Sequence, residues 1–147
     1  MTEDGPGGPL DVATLDVLAR RASRHPLVDG WAYRPDELSP RRLAVTVDDT
    51  QYPASVTAVR LDVRWYENGD YTFHYVETVE DGGETVADRC QCRFDHHSKP
   101  DAPREHFHPP ANADGVEPSP IDAAHHLGVL FAVLDWIETR VATVHER

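Results

Sequence analysis

The stretch Leu61-Asp62-Val63-Arg64-Trp65-Tyr66-Glu67-Asn68-Gly69-Asp70-Tyr71-Thr72-Phe73-His74-Tyr75 decides the fold. Leu61, Val63 and Trp65 alternate with Asp62, Arg64 and Tyr66, the period-two pattern of a strand with one covered face. Asn68-Gly69 offers two positions that tolerate positive φ, and the strand character resumes at Tyr71, so the segment reads as a β-hairpin. Asp81-Gly82-Gly83 marks a second turn, and Thr85–Phe94 the next strand. Upstream, Val28–Arg34 and Leu43–Val47 are short strands kept apart by Pro35 and Ser39-Pro40. The middle of the chain is thus an antiparallel meander of about five strands.

Helical spacing brackets the meander. Val12, Leu15, Leu18, Ala19 and Ala22 form one apolar stripe, predicting a helix over Asp11–Ser23 that ends before His25-Pro26. Leu127, Leu130, Phe131, Leu134, Ile137, Val141 and Val144 repeat likewise. Ser119 as N-cap, Pro120 at the first helical position and Asp122 at the third place that helix's start near residue 120. The fold class is α+β, an antiparallel meander sheet with an N-terminal and a C-terminal helix packed mainly on one face. Residues 1–9, rich in Gly and Pro, read as a disordered tail, and residues 10–147 as a single domain. Within it, residues 95–119 form a long His/Pro-rich loop.

Two-residue loops at both turns set the expected register. Glu67 then pairs with Asp70, Trp65 with Thr72, and Val63 with His74. Asp81 pairs with Glu84, which puts Tyr75 opposite Cys90, Phe73 opposite Cys92 and Tyr71 opposite Phe94. One face gathers Tyr71, Phe73, Tyr75, Cys90, Cys92 and Phe94, the side for a helix. The other gathers Leu61, Val63, Trp65, Thr72, His74, Arg89, Gln91 and Arg93, an apolar floor with a histidine and two arginines. A one-residue slip at either turn exchanges the faces.

The chain has nine histidines, and four of them, His96, His97, His106 and His108, lie between Asp95 and His108. Three readings stay open. Imidazoles at His-x-His spacing on extended chain point to one side, and with Asp95, His96 or His97 could form an N/O site suited to zinc. Alternatively, His106 and His108 could exchange protons with a phosphodiester while arginine steadies the charge, with no metal or other cofactor. Or the rings simply pack in a proline-rich loop.

The composition sets the setting. Of the 147 residues 39% are hydrophobic, enough for a core, and the net charge is −12. Lys99 is the lone lysine beside thirteen arginines, a balance that looks halophilic, archaeal and cytoplasmic. In molar salt the Debye length falls to about 3 Å, so the net charge neither supports nor excludes RNA as a partner. The apolar run Leu127–Leu134 is too short for a membrane span of ~20 residues. Cys90 and Cys92 make no disulfide framework and read as small buried thiols.

The pieces Leu61–Tyr66, Gly69-Asp70, His74–Glu77, Cys92-Arg93-Phe94-Asp95-His96 and His106-Phe107-His108-Pro109, in this order, resemble a family of small haloarchaeal proteins. Their order is similar to that of the TumE-like toxins of prokaryotic toxin–antitoxin pairs. The likeness runs over residues 28–145 and is most specific at Arg93-Phe94-Asp95 and His106-Phe107-His108. It implies a toxin-like component of a two-protein stress or defence module, with a small antitoxin or regulator as partner. The first candidate activity is a metal-independent ribonuclease. In it His106 and His108 are the proton-transfer pair, His74 assists, and Asp95 orients an imidazole. Arg93 and Arg89 hold phosphate, and Trp65 belongs to the substrate-binding face. The other classes are a non-enzymatic protein-interaction module and a zinc-binding protein using His96, His97, His106 and His108.

Overall fold

Asp11 starts the first helix. Its carboxylate accepts from the Thr14 backbone N–H at 3.0 Å and from the Thr14 hydroxyl at 2.7 Å, which satisfies a donor that the first turn leaves without a helical partner. Helix α1 runs Val12–Ala22 and buries Leu15, Leu18, Ala19 and Ala22, the stripe its spacing predicts. The computed structural model describes residues 8–81, 84–97, 105–110 and 115–145, with backbone alone at 81, 84–89 and 145. Of the expected disordered tail, residues 1–7 lie outside the described residues. Pro9 is held in place, its carbonyl accepting from the Glu67 N–H at 2.9 Å.

The strands are β1 (Val28–Arg34), β2 (Arg42–Val47), β3 (Val56–Trp65), β4 (Tyr71–Asp81), β5 (Glu84–His96), β6 (Glu105–His108) and β7 (Glu117–Pro118). They form one antiparallel sheet in sequence order. The α+β meander is therefore seven strands wide rather than about five. The two additions, β6 and β7, come from the stretch expected to be loop. They are too short to show a pattern, and prolines flank them, yet edge strands accept proline where no ladder N–H is needed.

The first hairpin corrects the register. Its loop is three residues long, Glu67-Asn68-Gly69: Tyr66 N–H donates to the Asp70 carbonyl at 2.8 Å and Gly69 N–H to the Tyr66 carbonyl at 2.9 Å. Gly69 sits at φ +91°, the left-handed geometry that closes such a loop. Trp65 thus pairs with Tyr71, Val63 with Phe73 and Asp62 with His74. The extra residue moves Leu61, Val63 and Trp65 to the aromatic face, with Tyr71, Phe73 and Tyr75. At the second hairpin Asp81 pairs with Glu84 as expected. A bulge then intervenes between the Val79–Val86 and Glu77–Cys90 pairs. The slip is two residues, so the faces survive while the partners change: Tyr75 meets Cys92 and Phe73 meets Phe94.

Helix α2 spans His126–His145, six residues later than the Ser119-Pro120 cap implies. The Ser119 hydroxyl instead accepts from the Ile121 N–H at 3.2 Å, closing a local turn, and His125 Nδ1 accepts from the Leu127 N–H at 3.2 Å. Trp136 of α2 packs edge-on against Tyr75, Phe94 and Phe107, with ring centroids 5.1, 5.6 and 6.4 Å away. The core is continuous from α1 and α2 to the aromatic face. Cys92 is fully buried there, Cys90 nearly so, and both are thiols; burial pushes the Cys92 thiol far above its ordinary range. Among the described residues no helix is long and apolar enough to cross a membrane.

Candidate functional site

With both helices on one side, the polar members of each strand's alternation share the other. Cross-strand pairing aligns them in rows. One row runs Arg64, Thr72, Asp95, His106 and Pro118. The next runs Ala44, Asp62, His74, Arg93 and His108. Arg34 pairs with Arg42, and one step beyond the Leu43–Val63 pair Arg42 comes beside Arg64. Five arginines (Arg34, Arg42, Arg60, Arg64 and Arg93) thus lie on the helix-free face of a chain whose net charge is −12. Asp62, 6% exposed, is held between Arg42 at 3.3 Å and Arg60 at 3.1 Å.

The rows end in a buried cluster. Asp95 Oδ2 lies 3.0 Å from His108 Nε2, 3.5 Å from His106 Nε2, 3.4 Å from His97 Nε2 and 2.9 Å from Arg93 Nε. Asp95, His97, His106 and His108 are all buried, whereas the Arg93 side chain is 39% exposed. The rings of His97 and His106 meet edge to face at 4.5 Å, as do those of His106 and His108 at 5.1 Å. Asp95 Oδ1 is buried with no hydrogen-bond partner among the described residues. His108 is tied down further: Nδ1 lies 2.9 Å from the Gly115 carbonyl. A carbonyl only accepts, so Nδ1 carries the proton and Nε2 of the neutral ring presents a lone pair. Burial, and then the Arg93 charge, hold His108 below its ordinary pKa of 6.5.

The candidates separate by face. Arg93, Asp95, His97, His106 and His108 come together. His74 shares their face, but its Nε2 contacts Gln91 Oε1 at 2.8 Å, and Arg93 lies between its strand position and that of His108. Trp65 faces the helices, 7% exposed and stacked on Tyr71 at 4.8 Å, so it lines no substrate face. His96 also leaves the cluster, because it is one residue from Asp95 on a strand and so points away. It stacks on Tyr71 at 5.5 Å, between Asp70 and Glu105, each 3.3 Å away. The Arg89 side chain lies outside the described residues. Arg34, Arg42, Arg60 and Arg64 are members of the face that the sequence reading missed. The available signal was their alternation with apolar neighbours, which belonged with the aromatic side.

An antiparallel meander with helices on one face, and a buried histidine–carboxylate cluster among arginines on the other, defines a small α+β protein whose candidate site lies on the helix-free side of its sheet. The chain belongs to the TumE toxin family: the family model described as Toxin TumE matches residues 16–141. Neither a curated protein nor a solved structure matches it.

Proposed function

We propose that this protein is the toxin of a two-protein module, restrained by a small antitoxin, and that it harms the cell by cutting RNA at the Arg93 edge of the Asp95–His106–His108 cluster. The toxin role follows from family membership. The observation that carries the RNA reading is the arginine-rich face, which leads row by row into the cluster. Guanidinium forks match phosphate oxygens in two-point contacts, and strands ~4.8 Å apart space them along a backbone. Arg93, partly exposed and 3.2 Å from His108 Nε2, is the group that meets a phosphate first.

The burial of the rings reshapes the expected acid–base pair. A general acid or base must reach the proton it moves, and His106 is 0% and His108 3% exposed. As the attacking hydroxyl bonds to phosphorus and the P–O bond to the leaving oxygen breaks, taking the hydroxyl's proton and returning one to the leaving oxygen are therefore both assigned to the cluster as a unit, entered from the Arg93 side. His74 serves as a neighbour on the same face. The acid-rich, lysine-poor composition supports a cytoplasm of high salt.

Induced expression without a neighbouring antitoxin should stop growth, and His108→Ala should relieve the arrest. Purified protein in high salt should cut total RNA, and Arg93→Ala should slow the cutting at least ~10-fold, as expected for one lost charge-assisted phosphate contact. Growth arrest with intact RNA would remove the nuclease reading and leave the toxin.

A further inference from the structure

We propose that Asp95, His106 and His108 bind one divalent transition cation of the zinc type. Ligand atoms from the three residues all lie within 4.8 Å of one another, and all three residues are buried. Four tetrahedral ligands at zinc bond lengths of 2.0–2.1 Å stand about 3.3 Å apart. The Asp95 Oδ2 separations from His108 and His106, 3.0 and 3.5 Å, bracket that edge.

The proton inventory points the same way. With Nδ1–H given to the Gly115 carbonyl, the His108 Nε2 lone pair faces a carboxylate oxygen only 3.0 Å away. In this structure the Arg93 guanidinium serves both atoms, its Nη2 3.2 Å from Nε2 and its Nε 2.9 Å from Oδ2, and a bound metal ion would take over that cationic role between them. A ring N–H on a backbone carbonyl is also how metal-bound imidazoles are held in their tautomer. Asp95 brings a second reason, since its buried Oδ1 accepts no hydrogen bond among the described residues. That leaves coordinating capacity beyond what Arg93, 2.9 Å from Oδ2, uses.

The donor set selects the ion. Two imidazoles and a carboxylate suit zinc and its neighbours in the first transition row; magnesium and calcium prefer all-oxygen shells. Three protein ligands leave a fourth position for water or a phosphate oxygen, the arrangement of catalytic zinc sites. His97, 3.4 Å from Asp95 Oδ2, flanks the site. The cation site stands without the ribonuclease reading; only its use in cutting RNA rests on that reading.

The test uses the full chain purified without a histidine tag, stripped with chelator and dialysed against zinc or cobalt(II). Elemental analysis should find about one equivalent of metal per chain. Cobalt(II) should give the intense visible bands of a four-coordinate centre. His108→Ala and the isosteric Asp95→Asn should each lose the metal, while His96→Gln, on the opposite face, should keep it. A metal content at background, or full stoichiometry in both Asp95→Asn and His108→Ala, would overturn the proposal. If His108→Ala does not fold, Asp95→Asn and the cobalt spectrum decide. Stoichiometric metal with uncut RNA would refute the nuclease and leave the metal site standing.

Discussion

Glu77 is 2% exposed beneath α2, and Arg140 holds both its oxygens, at 2.7 and 2.9 Å. The Tyr75 hydroxyl donates to the same carboxylate at 2.6 Å and so must accept from Tyr52, also at 2.6 Å. Removing one member of such a buried pair strands the other charge, which costs about 3–5 kcal/mol. Arg140→Met should lose stability on that scale in chemical denaturation, and Glu77→Met/Arg140→Met should recover much of it. A loss under about 1 kcal/mol for the single variant would mean that apolar packing alone seats α2. Histidine chemistry acts at this scale too. Burial, and then the neighbouring His125, hold His126 below its ordinary 6.5, while Asp11 pulls the other way. The folded state therefore prefers the neutral ring. Its contribution is complete above pH 6.5 and is lost as pH falls from there through the lowered value. His108 contributes with the same sign. The melting temperature should fall between about pH 7.5 and about pH 5, and His126→Phe should make the fall shallower.

Elements fold by local rules, and the local rules were readable. Helix α1, the meander and the aromatic face each follow from spacing within a dozen residues. The register did not, because it hung on whether Asn68-Gly69 or Glu67-Asn68-Gly69 makes the turn. One residue there decides whether Arg60, Asp62 and Arg64 or Leu61, Val63 and Trp65 share a face with His74. The site was legible in part for the same reason. His106-Phe107-His108 and Asp95 were visible as a group because alternation puts both rings on one side. His96 and His97 could not be separated until a strand was known to reach His96. The turn itself can be tested. Asn68 Oδ1 accepts from the Asp70 N–H at 2.9 Å, and Gly69 at φ +91° follows it. A Cβ at Gly69 meets no atom within 4 Å, so any penalty is conformational rather than steric crowding. Gly69→Ala should cost about 1–2 kcal/mol in denaturant melts through its left-handed backbone alone. A neutral result would mean that the loop relaxes to another turn type.

For the whole molecule the open question is how a chain of net charge −12 could hold a polyanion. Segregation of charge would serve the proposed RNA contact: the arginines occupy the helix-free face, and in molar salt distant acids would be screened within about 3 Å. The guanidiniums on that face are not equal. Arg42 and Arg60 share Asp62, and Arg93 is engaged by Asp95. Arg34, exposed on β1, and Arg64, half-buried on β3, are in none of these ion pairs and have most to offer a phosphate. Each phosphate contact to single-stranded RNA releases counterions worth about 0.7 in the slope of log K against log salt. Anisotropy titrations of a short single-stranded RNA over a range of moderate salt should therefore lose about 1.4 of slope in Arg34→Gln/Arg64→Gln. Thermal stability should barely change, since neither residue is fully buried. An unchanged slope with weaker binding would place the RNA elsewhere on the molecule and break the link between the arginine rows and the cluster.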